Sequence, residues 1–208
     1  MLGAETLDEI SGGRFVLGLG AGHAGGATRF GYPTDKRVSR YLEASEIIVP
    51  LLRGETDVSF SGTFHHAEGA DVRPRGPRPG RIPLMMGGHS IRTMTAAVAH
   101  ADTWSAFATE SSAPEAFVAL TAQLDQLCED AGRDPNSIGR SVGVFVEPGE
   151  TKLAEASGLG EAITGSTDHI TETIARFATV GVTRVEVMPW PPTTNTIEQL
   201  ASVFASQK

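Results

Sequence analysis

One cysteine, Cys128, stands in the whole 208-residue chain. A lone thiol excludes a disulfide framework and a thiolate-based metal site. Basic residues are also few: 17 Lys and Arg face 25 Asp and Glu, the net charge is −8, and no Lys/Arg cluster stands out. Nucleic acid is therefore not an expected partner, because phosphate binding needs a concentrated positive surface. No apolar run reaches the roughly 18 residues that a bilayer-spanning helix requires, so no membrane partner is expected either. The opening MLGAETLDEI carries Glu5, Asp8 and Glu9 without a basic flank, unlike a secretory signal. With 40% hydrophobic residues, the chain reads as a cytoplasmic globular domain with its own core.

Glycine is plentiful, and its densest stretch is FVLGLGAGHAGG at 15–26. Gly20-Ala21-Gly22-His23-Ala24-Gly25 fits G-x-G-x-x-G, the pattern that cradles a dinucleotide pyrophosphate. That fingerprint must open a helix directly, whereas Gly26 and then Phe30-Gly31-Tyr32-Pro33 follow here, and Pro33 interrupts any such helix. Two readings stay open from the segment itself. One is a strand end where backbone approaches a ligand closely, and the other is a tight turn with no ligand.

Elsewhere strand and helix patterns alternate. Residues 1–10 read as a helix end with Leu7 and Ile10 on one face, and 14–20 as a buried strand. Helical spacing over 36–53 places Val38, Leu42, Ile48 and Leu52 together, with Pro50 set to kink the helix. Residues 55–82 predict a short hairpin around Ser61-Gly62 and then a Pro/Gly loop. IPLMMGG (82–88) is a short buried strand, 90–100 a helix and 103–107 a strand. Pro114 opens an amphipathic helix bearing Phe117, Leu120, Leu124, Leu127 and Ala131, with Gly132 at its end. A strand over 141–149, an irregular or briefly helical stretch over 150–166, a helix over 168–180, a strand in VTRVEVMP and a helix over 194–205 complete the chain. Five strands, each followed by a helix, predict a parallel α/β protein.

TLDEISGGRFVLGLGAGH, FGYPTDKRVSRYLEASEIIVPLLRGE, RPRGPRPGRIPLMMGG and AAVAHADTW, in that order, resemble the bacterial luciferase-like monooxygenase family. The likeness is greatest to its branch that uses the deazaflavin coenzyme F-420. The resemblance implies a (β/α)8 TIM-type barrel in which 14–20 is the fourth strand, 82–87 the fifth, 102–107 the sixth, 141–147 the seventh and 183–188 the eighth. Strands one to three have no counterpart, so the expectation is one partial barrel domain over 1–208, holding the strand-four to strand-eight portion, with 55–81 as an insertion. An open strand edge and an uncovered barrel interior predict a homo-oligomer.

The implied function is an oxidoreductase that uses F-420, or alternatively reduced flavin (FMN), for hydride transfer to or monooxygenation of a small organic substrate. The alternative is a catalytically inactive half-barrel that binds a cofactor or a partner. The resemblance runs Gly20, Ala21 and Gly22 beside the cofactor, with His23 as a proton-transfer candidate or a solvent-exposed loop histidine. It places the cofactor phosphate on Gly87, Gly88, His89, Ser90 and Arg92, where free N–H groups at a helix start attract an anion. The local alternative is an ordinary strand–helix turn with Ser90 as N-cap. Trp104, Phe107 and Trp190 are read as pocket lining or packing, Asp102 as structural and Cys128 as inert. No metal is expected: adjacent His65 and His66 on a strand face opposite ways.

Overall fold

A computed structural model describes residues 1–22, 28–149 and 152–205. The backbone forms two compact units, Met1–Thr103 and Trp104–Lys208.

The first unit begins with helix α1 (Leu2–Ile10), strand β1 (Leu17–Gly20) and helix α2 (Arg37–Leu52). The hairpin β2 (Val58–Ser61) and β3 (His66–Ala70), strand β4 (Leu84–Gly87) and helix α3 (Ile91–His100) follow. β1 and β4 are parallel, in a register that runs from Leu17 opposite Leu84 to Gly20 opposite Gly87. Leu52, Ile82, Leu84, Met86, Met94 and Ala97 are fully buried. The hairpin stands where Ser61-Gly62 predicts it, closed by the Gly62 amide donating to the His65 carbonyl. Its turn docks on α2 because the amides of Thr63, Phe64 and His65 all donate to the Glu43 carboxylate. Burial opposes ionisation of Glu43, but these three amides hold its carboxyl below the ordinary range.

Two expectations for this unit are corrected. The strand predicted over 14–20 pairs only from Leu17 onward, and along β1 half-buried residues alternate with exposed ones. The Phe15 carbonyl is instead taken by the Arg78 guanidinium at 2.9 Å, so a side chain satisfies backbone that the ladder would have used. The second correction concerns α1, whose apolar face lies outward, with Leu2, Leu7 and Ile10 exposed. Its buried face is acidic. Glu5 accepts from the Gly76 amide at 2.7 Å and pairs with Arg75, and Asp8 accepts from Arg78 Nε through both oxygens at 3.1 Å. The arginine-rich loop after β3 is thus neutralised within the fold. Arg75 also donates to the Leu51 and Glu55 carbonyls at the end of α2.

The second unit holds β5 (Thr103–Phe107), α4 (Val118–Asp130), β6 (Gly139–Pro148) and α5 (Leu153–Ala156). It continues through β7 (Ile163–Gly165), α6 (Thr167–Arg176), β8 (Arg184–Pro189) and α7 (Thr194–Ala205). β6 is buried over nearly its whole length, as a near-continuous apolar strand inside a parallel sheet should be. It pairs in parallel with β8 from Ser141–Arg184 to Val146–Pro189, and with β7 from Val146–Ile163 to Pro148–Gly165. In 150–166, the stretch expected to be irregular or briefly helical, the brief helix α5 is present, and β7 is added because three residues are too short to leave a strand pattern.

Along α4 the buried line is Phe117, Thr121, Leu124 and Cys128, and Ala131 is exposed. Thr121 takes a core position because its hydroxyl bonds back to the Phe117 and Val118 carbonyls. Phe117 meets Phe177 at a centroid distance of 5.8 Å. Among the described residues, no helix is long and apolar enough to cross a membrane.

Candidate functional site

Parallel pairing brings the two glycine-rich strand ends together. Gly20 closes β1, Gly87 closes β4, and they are register partners. Gly20 has an ordinary φ, and a Cβ built there would meet nothing within 4 Å. Nothing in the fold requires glycine at 20, and a side chain would project into open space above the strand end. Ala21 follows, and Gly22 takes φ +64°, a left-handed conformation that favours glycine. His23 lies outside the described residues.

Beyond Gly87 the chain turns into α3. Gly88 has φ +148°, and a Cβ on it would lie 2.3 Å from Thr93 Oγ1 and 2.6 Å from Thr93 Cβ. Close packing against the first turn of α3 therefore demands glycine at 88, whatever binds nearby. Ser90 is the N-cap: its Oγ accepts from the Thr93 amide at 3.3 Å, and Thr93 Oγ1 donates back to the Ser90 carbonyl at 2.9 Å. The local alternative for Ser90 is thus realised, which commits its side chain to the helix. The amides of Ile91 and Arg92 open α3, where no preceding turn supplies acceptors. Arg92 reaches across to α2 and donates to Ser39 Oγ at 3.2 Å. Burial of the His89 ring holds its pKa below the ordinary histidine value, so the imidazole is neutral near pH 7.

The sequence reading missed a cavity of about 500 Å³ beside the β1 end. Leu19, Gly20 and Ala21 form one wall, and Tyr32, Pro33 and His65 close others. α2 contributes Arg37, Arg40, Tyr41, Ala44, Ser45 and Ile48. The signal was present in the spacing: Tyr41, Ser45, Val49 and Leu52 are the buried line of α2. Of the expected face, Leu52 is fully buried, whereas Val38, Leu42 and Ile48 lie half-buried because the helix is rotated toward its tyrosine. Ser45 is tolerated there because its hydroxyl donates to the Tyr41 carbonyl at 2.9 Å. Tyr41 is only 9% exposed, and among the described residues neither its hydroxyl nor Arg37 Nε has a hydrogen-bond partner in range. Burial pushes the Tyr41 phenol up to about 12, against a smaller opposing contribution from the Ser45 hydroxyl.

Trp104 and Asp102 belong to the framework. Trp104 is fully buried in the core. Asp102 is structural: its Oδ2 accepts from the Leu84 amide at 2.7 Å and pairs with Arg53 at 3.1 Å, fixing the start of β4. In the second unit Phe107 is 44% exposed at the end of β5. Its ring meets Phe145 edge-on at 5.4 Å, and Phe145 meets Trp190 at 6.2 Å.

A family model, luciferase-like monooxygenase, matches residues 3–156. The 5,10-methylenetetrahydromethanopterin reductase of Archaeoglobus fulgidus is 33% identical over 128 residues, covering 62% of this chain and 36% of that protein. The pyrimidine monooxygenase RutA of Cronobacter sakazakii is 31% identical over 139 residues, covering 64% of this chain and 40% of that protein. The chain thus matches two fifths or less of the length of these two relatives. A solved F-420-dependent secondary alcohol dehydrogenase, in complex with an F-420–acetone adduct, superposes with TM-score 0.78 at 15% identity over all of this chain and 74% of that one. The coenzyme F-420-dependent tetrahydromethanopterin reductase of Methanopyrus kandleri gives TM-score 0.74 at 19% identity, over 95% of this chain and 74% of that one. These likenesses show a shared α/β fold with a parallel sheet.

Proposed function

The chain belongs to the luciferase-like monooxygenase family, and from that premise we propose that it is an oxidoreductase that binds coenzyme F-420 at the paired ends of β1 and β4 and acts on a small organic substrate. One observation carries this reading: the register sets Gly20 beside Gly87 directly before the N-terminus of α3. A helix start offers amide donors and a positive dipole end to a phosphate. Arg92 adds a cation within the first turn. The open space above Gly20 lets a flat ring system approach the strand end, as a Cβ there would obstruct. Relatives that are F-420 enzymes support this occupant, and the monooxygenases among them make FMN the alternative.

F-420, when bound, supplies the hydride-carrying position of its deazaflavin ring. The chain's own share is to hold and orient. The amides of Ile91 and Arg92 and the Arg92 guanidinium hold the phosphate. Gly20 and Ala21 would lie against the ring and leave it room at the strand end. Ser90, as N-cap, fixes the direction of the α3 amides and makes no ligand contact of its own.

Replacing Ile91 by proline tests the cradle cleanly. Ser90 has φ −79° and ψ 149°, a conformation suited to the residue before proline, and the first helical position needs no amide for the helix itself. The helix should survive with its thermal midpoint unchanged while one donor is lost. Calorimetric titration should show F-420 bound more tightly than FMN, and Ile91→Pro should weaken both by roughly tenfold. Unchanged affinity in the variant, or no binding of either cofactor to the parent chain, would reject the site.

A further inference from the structure

The cavity beside β1 has a chemistry of its own that the phosphate cradle does not use. Leu19, Pro33 and Ile48 give it apolar walls, and among the described residues no carboxylate lines it. Its polar groups from α2 are donors. Among the described residues the buried Tyr41 hydroxyl and the buried Arg37 Nε have no hydrogen-bond partner, and the phenol stays protonated across the physiological range. Among the described residues Arg37 makes no ion pair, although the chain carries a surplus of acid. Arg40 adds a second cation at the rim, stacked 4.3 Å over the Phe64 ring and paired with Asp35. Buried donors without acceptors are costly, and a ligand that supplies acceptors removes that cost.

We propose that this cavity binds a small monocarboxylate with an apolar body, its carboxylate seated on Tyr41 Oη and Arg37 and its body against Leu19, Pro33 and Ile48. Two donors of different kinds suit the two oxygens of a planar carboxylate. A volume of about 500 Å³ is that of an ordinary small-molecule site and accommodates a single ring on a short chain. A neutral apolar compound would leave both donors unsatisfied. A phosphate ester would bring a second charge into walls that are mostly apolar. The inference stands on the cavity alone and holds whether or not the α3 N-terminus takes a cofactor.

The test uses the parent chain without cofactor and 3-phenylpropionate as the probe, with 3-phenylpropionamide as the neutral counterpart of equal shape. Titration followed by ligand NMR should show the acid binding at least about tenfold more tightly than the amide. Tyr41→Phe removes a hydroxyl that has no hydrogen-bond partner in range among the described residues, so the thermal midpoint should be close to the parent's. It should weaken the acid about tenfold and leave the amide unchanged. Arg37→Met, at a half-buried position outside the core, should weaken the acid further and flatten its dependence on salt. Equal binding of acid and amide overturns the proposal, and so does acid affinity that neither variant changes. Absence of acid binding to the parent chain overturns it too, and because Gly20 and Ala21 wall this cavity as well as the proposed ring position, F-420 is titrated on a separate acid-free sample to report the α3 cradle by itself.

Discussion

Arg78→Leu should lower the thermal midpoint by about 10 °C near neutral pH. Arg78 is the partner of a carboxylate that has no access to water: Asp8 is 0% exposed, and both of its oxygens accept from the guanidinium. The same guanidinium holds the Phe15 carbonyl, so the substitution strips partners from a buried charge and from backbone at once. Breaking one side of a buried pair is far more costly than removing both, because the remaining charge is left uncompensated. Asp8→Leu combined with Arg78→Leu should therefore recover much of the loss. The dependence on pH gives a second signature. The Arg78 hydrogen bonds, opposed by burial, hold the Asp8 carboxyl below its ordinary value. In the parent, the pair's contribution is complete above the unfolded aspartate pKa of about 3.9 and is lost as pH falls through the lower folded value. In Arg78→Leu burial without the cation raises the carboxyl's pKa, so protonation relieves the orphaned charge already as pH falls toward about 3.9. The gap between parent and variant should narrow as pH falls toward about 4 and further below it. Melting curves that coincide at neutral pH, or a gap that stays constant into acid, would show that the pair does not anchor α1.

The contrast between α1 and β6 shows what the sequence displays and what it hides. β6 was legible because a parallel strand buried on both faces writes itself as a continuous apolar run, and SVGVFVEPG is one. The hairpin was legible from Ser61-Gly62, and the α3 start from a serine ahead of a helical run, since turns and caps are local chemistry. α1 was not. Its Leu7 and Ile10 form a conventional apolar face, but Asp8 finds its partner 70 residues along the chain, and no local period records a contact of that range. The cavity was hidden for a related reason. Weighing aliphatic residues above Tyr41 and Ser45 turns the predicted face of α2 away from the buried one, although 41, 45, 49 and 52 keep helical spacing. At the strand ends, the glycine pattern and the family likeness located Gly20 and Gly87. They did not separate a glycine that serves a ligand from one that serves packing, because both leave the same letter.

Gly88→Ala draws that distinction. The substitution should lower the thermal midpoint by roughly 6 °C, on the scale of overpacking a close contact. The added Cβ would lie 2.3 Å from Thr93 Oγ1 and 2.6 Å from Thr93 Cβ, and φ +148° is strained for any L side chain. Thr93 is 4% exposed and is tied to Ser90 on both sides of the N-cap, so it has no room to withdraw. Relief has to come from displacing the first turn of α3, which breaks the cap and misdirects the amides of Ile91 and Arg92. Cofactor affinity should then fall together with stability, and an aspartate at 88 would add charge repulsion that is indistinguishable from the steric damage. Thr93→Gly removes the three atoms nearest to the new Cβ. Added to Gly88→Ala, it should cost less than the sum of the two single changes, even though a helical glycine costs about 1 kcal/mol by itself. The comparison with Ile91→Pro completes the argument: there, affinity should fall with the midpoint intact. If Gly88→Ala instead melts with the parent and loses only cofactor affinity, glycine at 88 answers to the ligand, and the packing role assigned to Thr93 is wrong.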